Sequence, residues 1–297
     1  MNTVLITGAT GFVGKNLVKY LASNQFIIKE TSIRFGDNIS ISKVNTIIHL
    51  SGKAHDLKNI ANASDYYESN FELTKHLYDA FLKSDAEKFI FLSSVKAAVD
   101  FTEGILFEDV KPNPQTHYGK SKLLAEEYIQ NQVIPENKSY IVLRPCMIHG
   151  PHNKGNLNLL YQFVKKGLPY PLGAFDNRRS FLSIDNLCFI IKNIIDKSIQ
   201  SGIYNVSDNE SISSNELISI IANSLKKKER IIRIPEKVIF NLAKVADFLR
   251  LSLNSDKLLK LTSNYQVSNE KIILAINQSL PLSLREGLAK TLISFKK

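Results

Sequence analysis

The feature that most constrains this chain is a glycine-rich turn close to its start. Residues 3–7 form a short apolar run that predicts a buried strand. Gly8, Gly11 and Gly14 follow with the spacing GxxGxxG, ahead of a segment with helical periodicity. In such a unit the glycines permit a tight turn, a close approach of the backbone to a pyrophosphate, and close packing of the helix on the strand. The helix N-terminus adds N–H donors and a positive dipole. The turn therefore predicts a dinucleotide site, and a merely structural turn is the alternative.

Apolar runs and amphipathic segments alternate along the first half of the chain. A second buried strand is predicted at residues 46–50, a weaker strand at 27–34, further strands at 88–93 and 140–143, and helices at 65–83 and 121–132. This alternation indicates crossover units, so the predicted fold class is α/β with a doubly wound parallel sheet. Beyond Pro151 helical segments dominate, at 156–166, 186–197, 214–228 and 236–251, with short strands near 180–184 and 202–206. We expect a first domain over 1–150, to which residues at about 180–206 return, and a smaller, mainly helical lobe over 151–297.

The charge of the chain is basic. Among its 297 residues, 38 Lys+Arg stand against 28 Asp+Glu, which gives a formal net charge of +10. A cluster at 226–230 has no interleaved aromatic residues, so a solvated face explains it better than a nucleic-acid site. Attraction of a phosphate-bearing small substrate remains compatible with this charge. We therefore expect no nucleic-acid partner.

Cysteine content and hydropathy bear on the cellular setting. Cys146 and Cys188 are too few for a disulfide framework, and no CxxC pair indicates zinc, so we expect a reducing, cytoplasmic setting and no metal. The chain opens without a signal-peptide pattern, and no apolar run reaches the ~18 residues of a spanning helix. We expect no integral membrane contact. The stretch 238–249 is explained most simply as an amphipathic helix facing the core, with contact to a membrane surface as the alternative.

A tyrosine and a lysine form a candidate catalytic pair. Tyr118 and Lys122 lie four residues apart, which places them on one face of a helix. An ordinary tyrosine titrates near pH ~10, and a cation one turn away is expected to lower that pKa toward a useful range. Ser93 and Ser94 follow a predicted strand, at the sheet edge where open parallel sheets contact ligands. A hydroxyl there can hold a substrate oxygen while Tyr118 transfers its proton, although either serine also suits a turn cap.

The residue about twenty positions beyond the glycine turn bears on the choice of cofactor. An acidic side chain there binds the ribose diol of NAD, whereas an arginine accommodates the 2′-phosphate of NADP. Counting from Gly14 leads to Arg34, which favours NADP, and Asp37 follows closely. An ordinary surface arginine is the alternative. The cofactor is therefore expected to be NAD or NADP, with a slight preference for NADP.

These residues together resemble the extended short-chain dehydrogenases/reductases that act on nucleotide sugars, the NAD-dependent epimerase/dehydratase family. The resemblance covers nearly the whole chain, and His149 stands where the family motif has a tyrosine. The segments that carry it are the turn at 7–14, His49-Leu50-Ser51-Gly52, Asn70, the group Ser94, Tyr118 and Lys122, Arg144 to Pro151, Arg179 to Leu187, and Pro281 to Leu288.

The resemblance implies a Rossmann-type fold, a substrate-binding C-terminal lobe, and a homodimer formed through two helices per subunit, including the one with Tyr118. It implies Ser94, Tyr118 and Lys122 as the catalytic group. The implied cofactor-binding residues are Gly8, Thr10, Gly11, Phe12, Val13, Gly14, Arg34, Asp37, Leu50, Ser51, Gly52, Asn70, Tyr118, Lys122 and Pro145. The implied substrate-binding residues are Ser94, Lys96, Asn156 and Arg179.

Within the family, the resemblance implies chemistry at C4 of a nucleotide-diphosphate sugar. The 4-epimerases and 4-keto-reductases of N-acetylated or 6-deoxy sugars for surface polysaccharides are the groups it favours. A 4,6-dehydratase is the weaker alternative, because Val95 and Lys96 stand where those enzymes carry an Asp-Glu or Asp-Lys pair. A catalytically silent dinucleotide sensor is a further alternative, which the intact Ser94, Tyr118 and Lys122 disfavour.

Overall fold

The computed structural model describes residues 2–34, 36–37, 39, 41–53, 62–153, 155–248 and 255–296. The strands are β1 (Thr3–Thr7), β2 (Ile27–Thr31), β3 (Thr46–His49), β4 (Lys88–Leu92), β5 (Ile105–Leu106), β6 (Ser139–Pro145), β7 (Met147–His149), β8 (Arg178–Ser183), β9 (Gly202–Val206), β10 (Ser211–Ser213) and β11 (Gln266–Val267). The helices are α1 (Phe12–Ala22), α2 (Ala63–Tyr67), α3 (Leu73–Lys83), α4 (His117–Asn131), α5 (Asn156–Lys165), α6 (Ile184–Asp196), α7 (Ser214–Ser224), α8 (Glu236–Phe248), α9 (Ser255–Thr262), α10 (Glu270–Ile276) and α11 (Leu284–Ser294).

A parallel sheet with the strand order β2-β1-β3-β4-β6-β9 forms the centre of the molecule. All four residues of β3 are buried, as expected for a strand covered on both faces. The predicted doubly wound α/β fold is therefore confirmed. The direction of winding reverses between β1 and β3, and a ligand crevice is expected where the carboxyl ends of these strands separate.

Two hydrophobic layers cover the sheet. On one face, α1 and α6 pack through residues that include Leu17, Leu21, Ile190 and Ile194. On the other face, α3 and α4 pack through Leu77, Tyr78, Phe81, Ala125 and Ile129, and Phe89 of β4 lies among them. The layer between α3, α4 and the sheet therefore positions the helix that carries Tyr118.

The later part of the chain builds a second body of structure. A small sheet with the order β10-β8-β7 is covered by α5, α7 and α11, which share a core of their own. The pair α8 and α9 packs with residues 172–175 as a further apolar cluster. In the same region, β9 returns to the edge of the central sheet. No helix within the described ranges is both long and apolar enough to cross a bilayer.

Some element boundaries differ from the predictions for physical reasons. The strand predicted over 27–34 ends at Thr31. The helix predicted over 65–83 is interrupted by a π-helical turn at Glu68–Glu72, a feature often found at functional sites. Helix α4 begins earlier than predicted because the Thr116 hydroxyl accepts the Gly119 N–H at 3.1 Å and caps it. The end of the helix predicted over 236–251 lies outside the described residues.

The packing of Phe89 yields a stability prediction. Its ring is fully buried and lies 5.0 Å from the ring of Tyr78 and 5.4 Å from that of Phe81, measured between centroids. We expect Phe89→Ala to lower the free energy of unfolding by about 3–5 kcal/mol through the cavity that it leaves. The control Phe107→Ala, at a side chain that is 41% exposed, should change it by less than about 0.5 kcal/mol. Urea unfolding measures both values, and equal losses would contradict the assigned packing.

Candidate active site

The glycine turn joins β1 to α1 in a backbone shape that excludes side chains. Gly8 has φ +72°, and a Cβ there would lie 2.7 Å from the Ser51 nitrogen. A Cβ on Gly14 would lie 2.2 Å from the Gly8 carbonyl oxygen, so the helix packs directly on the turn. Gly11 is the N-cap of α1, and no side chain among the described residues caps it. The N–H groups at the start of α1 thus fit a pyrophosphate, as the sequence predicts.

A cavity of about 540 Å³ opens at the carboxyl edge of the sheet. Its lining consists of Ile33, Arg34, Ser51, Gly52, Lys53, Glu68, Ser69 and Leu73. Arg34 thus lines this cavity, at the edge of the sheet where a dinucleotide is expected to bind. The Asp37 carboxylate accepts the Arg34 backbone N–H at 2.7 Å, so Asp37 holds the turn that presents Arg34.

A second contact region lies between the π-helical turn and α4. The Asn70 side chain is buried, accepts the Lys53 backbone N–H at 2.8 Å, and donates to the Ser121 hydroxyl at 3.0 Å. A Cβ on Gly52 would lie 2.6 Å from Asn70 Oδ1 and 3.2 Å from Lys122 Nζ. Only a glycine leaves this space open, which fits the predicted approach of a cofactor to Lys122.

The remaining predicted cofactor residues surround these two regions. The Leu50 backbone N–H donates to the Thr7 carbonyl at 3.2 Å, which fixes the end of β3 against the turn. Thr10 is exposed, Phe12 and Val13 are half-buried in the first turn of α1, and Pro145 is buried at the end of β6. The elements that carry the predicted residues therefore converge at the carboxyl edge of the sheet.

The structure brings Ser94, Tyr118 and Lys122 together. Ser94 follows β4 and hydrogen-bonds the Tyr118 phenol, and its hydroxyl also accepts the Lys96 N–H at 3.2 Å. The serine thus both contacts the tyrosine and caps a turn. Lys122 lies one helical turn after Tyr118, and its ammonium donates to the Leu92 carbonyl at 2.9 Å. A phenol, a hydroxyl and an ammonium therefore share one corner beside the glycine turn, where Ser94 and Lys122 are buried and Tyr118 is half-buried.

The pKa expected for Tyr118 was wrong in direction. Burial raises the pKa of Tyr118, and the hydrogen bond from Ser94 only partly opposes this effect. The cation of Lys122 is itself desolvated, and burial lowers its pKa to about 8 against the opposing charge of Glu126. In this structure the loss of solvent therefore outweighs the effect of a nearby cation.

A buried ion pair behind the catalytic group was not predicted. Arg144 of β6 donates from Nε to both carboxylate oxygens of Glu126, at 3.1 and 3.0 Å, and the Ser93 hydroxyl donates to the same carboxylate. Both charged side chains are almost fully buried. Glu126 lies four residues after Lys122, so the spacing along α4 was the signal that could have revealed it.

The two cations that the sequence suggests for substrate binding, Lys96 and Arg179, lie near each other. Lys96 Nζ lies 4.1 Å from the centroid of the Tyr265 ring and donates to the Asp100 carbonyl at 2.7 Å. Burial lowers its pKa to about 8, with Asp100 opposing and Arg179 adding to the shift. Arg179 donates from Nε to the Ser263 carbonyl at 3.1 Å. Tyr265 was not predicted, because no motif marks it.

Asn156 is placed less informatively. It is the first residue of α5, its side chain is exposed, and the neighbouring Lys154 lies outside the described residues. Asn156 therefore lies on the lobe, and no contact among the described residues connects it to the group around Tyr118.

Known proteins resemble this chain over most of its length. The model of the NAD dependent epimerase/dehydratase family matches residues 4–207. The UDP-glucose 4-epimerase of Vibrio cholerae is 28% identical, over 99% of this chain and 95% of that protein. The N-acetyl-α-D-glucosaminyl-diphospho-ditrans,octacis-undecaprenol 4-epimerase of Escherichia coli O157:H7 is 26% identical, over 98% and 94%. The solved structure of MoeE5 in complex with UDP-glucuronic acid and NAD is similar with a TM-score of 0.78, at 18% identity and 99% coverage of both chains.

The fold and the site thus define a Rossmann-type enzyme with a dinucleotide turn and a tyrosine-lysine pair. The chain belongs to the NAD dependent epimerase/dehydratase family, which confirms the resemblance seen in its sequence.

The lowered pKa of Lys122 yields a prediction for the pH dependence of activity. Its ammonium is charged below about 8 and neutral above, because burial disfavours the charged form. Since only the charged form offers three donors and a positive charge, we expect kcat/KM to fall as the pH rises through about 8. Lys122→Arg stays charged and should lose this falling limb, even if its activity is lower at every pH.

Lys96 provides the control for that titration. Its pKa is also lowered to about 8, so Lys96→Met distinguishes the two lysines and should keep the falling limb. A limb that disappears in Lys96→Met and persists in Lys122→Arg would contradict the assignment to Lys122.

Proposed function

We propose that this enzyme carries out NAD(P)-dependent oxidoreduction at C4 of a nucleotide-diphosphate sugar, as a 4-epimerase. The observation that carries the proposal is the group Ser94, Tyr118 and Lys122, placed beside the glycine turn at the carboxyl edge of the sheet. Two relatives that match nearly the full length of the chain are named as 4-epimerases. A 4-keto-reductase is the second candidate, because Arg34 suits the cofactor that carries a 2′-phosphate.

Each member of the group has a role in this chemistry. The dinucleotide, when bound, supplies the hydride acceptor or donor. Tyr118 removes the proton from the C4 hydroxyl or returns it to the C4 oxygen, and Ser94 holds that oxygen by a hydrogen bond. Lys122 binds the ribose hydroxyls next to Gly52, where the backbone leaves room for them. In this mechanism the Tyr118 phenol is therefore the group that transfers the proton.

The cations on the substrate side support a diphosphate. Lys96 and Arg179 lie near each other, and a guanidinium suits the bidentate binding of phosphate oxygens. The two relatives named above act on diphosphate-linked sugars by their names, one carried on a uridine nucleotide and one on a prenyl chain. An N-acetylated or 6-deoxy sugar for surface polysaccharide is the substrate class that we propose. We further propose a cytoplasmic homodimer that uses α4.

Arg34 yields a prediction about the cofactor. Its position at the cavity, on a turn held by Asp37, supports binding of a 2′-phosphate. We expect Arg34→Ser to weaken NADP binding at least about tenfold, the scale of one charge-assisted contact, and to leave NAD binding unchanged. Titration calorimetry measures both affinities, and acid release with mass spectrometry identifies the dinucleotide retained by the purified protein. An equal loss of affinity for NADP and NAD would show that Arg34 does not bind the 2′-phosphate.

Tyr118 yields the prediction that tests the function. Tyr118→Phe keeps the ring and removes the proton-transferring hydroxyl, so turnover of UDP-glucose or UDP-N-acetylglucosamine should fall about 100- to 10,000-fold while the variant still binds cofactor. The matched control is Tyr66→Phe, since that ring lies 6.4 Å from the ring of Tyr118 and has no assigned role. Proton NMR of the sugar products measures turnover. An active Tyr118→Phe enzyme would contradict the mechanism, and a wild-type protein that binds cofactor without turnover of any sugar would favour the sensor.

A further inference from the structure

Helix α8 has one apolar face that the protein uses for its own core. Ile239 and Ala243 are buried there, together with Leu258 of α9 and with Leu172 and Phe175 of the loop before β8. This cluster attaches α8 and α9 to the lobe, as the sequence predicts for an amphipathic helix.

The same helix carries a second apolar face that the chain leaves exposed. Val238, Leu242 and Val245 are 46%, 58% and 55% exposed. Their spacing of four and three residues places them within ~60° of one another around the helix axis. We call these three residues the α8 stripe. A helix that only covers its own core has no need of the stripe, so its exposure calls for an occupant.

The sequence on either side of the α8 stripe is strongly basic. Residues 226–262 contain ten Lys or Arg against four Asp or Glu, more than half of the net charge of the whole chain. Lys237 and Lys244 are exposed on α8 itself, on the side of the stripe opposite the buried face. Their aliphatic stems can lie along an apolar surface while the ammonium groups reach phosphate headgroups.

The pair of helices also lies next to the substrate side of the active site. Arg179 donates hydrogen bonds to the carbonyls of Lys260 and Ser263, at the C-terminal end of α9. The charge of Lys260 also acts on Lys96. A surface that binds α8 and α9 therefore lies close to Lys96 and Arg179.

We propose that the α8 stripe, with Lys237 and Lys244, docks on the surface of an anionic phospholipid bilayer. An exposed apolar stripe flanked by lysines is the pattern of a helix that lies in the membrane interface, and the anionic headgroups complement the positive charge of residues 226–262. A second copy of this chain fits less well, because a two-fold contact would bring two such basic segments together. Docking holds the active site at the membrane face, and it goes beyond the proposed C4 chemistry.

Vesicle flotation of the full chain tests the proposal. We expect the wild type to float with vesicles of equimolar palmitoyl-oleoyl phosphatidylcholine and phosphatidylglycerol. Binding to vesicles of phosphatidylcholine alone, or in high salt, should be at least about tenfold weaker. The variant Leu242→Glu/Val245→Glu should lose binding to the anionic vesicles by at least about tenfold.

The matched control is Leu274→Glu/Ile293→Glu, which adds the same charge at side chains that are 79% and 59% exposed on α10 and α11. It should float like the wild type. Cofactor affinity and turnover of a soluble nucleotide sugar report folding, and both should be unchanged in the two variants. Flotation therefore tests membrane docking, and turnover tests the C4 function, so that the failure of one can be told from the failure of the other.

Three results would overturn the proposal. The first is a wild type that does not float with anionic vesicles. The second is an equal loss of binding in the two double variants, which would mean that the added negative charge alone explains the loss. The third is a dimer that Leu242→Glu/Val245→Glu dissociates in the absence of lipid, which would assign the α8 stripe to a second copy of the chain.

Discussion

The buried ion pair between Glu126 and Arg144 is the interaction on which the active site depends. It joins the catalytic helix α4 to β6, and the hydrogen bond from Ser93 extends the connection to the end of β4. Burying two charges costs much of what their attraction returns, so the pair fixes a geometry more than it adds stability. Because Ser94 is the next residue after Ser93, this geometry sets the hydroxyl against the Tyr118 phenol.

The central sheet combines this catalytic corner with the cofactor turn. The glycine turn ends β1, and the loops after β3 and β4 end beside it, so all three meet at the edge where the direction of winding reverses. Gly52 is where the two regions touch, since any side chain there would strike Asn70 and Lys122. The glycine turn, which a ligand can approach closely, and the buried cation of Lys122 thus belong to one site. Lys96, which follows β4, and Arg179, on β8, are the cations that we propose face the substrate.

The sequence predicted those parts of the site that local patterns encode. The structure has the expected turn at the three glycines, the expected helix through Tyr118 and Lys122, and the expected strand end before Ser94. Each of these features depends on a few neighbouring residues. The raised pKa of Tyr118 could not be predicted, because it reflects burial in the folded protein, which the local spacing does not encode. Tyr265, 147 residues beyond Tyr118 in the chain, meets Lys96 only through the tertiary fold.

The most direct test of the account follows the hydrogen at C4. Incubation of the wild-type enzyme with a nucleotide sugar deuterated at C4, in ordinary water, distinguishes hydride transfer from proton exchange. We expect the deuterium to stay on C4 of the epimerised sugar, because it leaves and returns as hydride while Tyr118 moves only the hydroxyl proton. Loss of the deuterium to water would mean that C4 is deprotonated, and it would contradict oxidoreduction as the chemistry of this site.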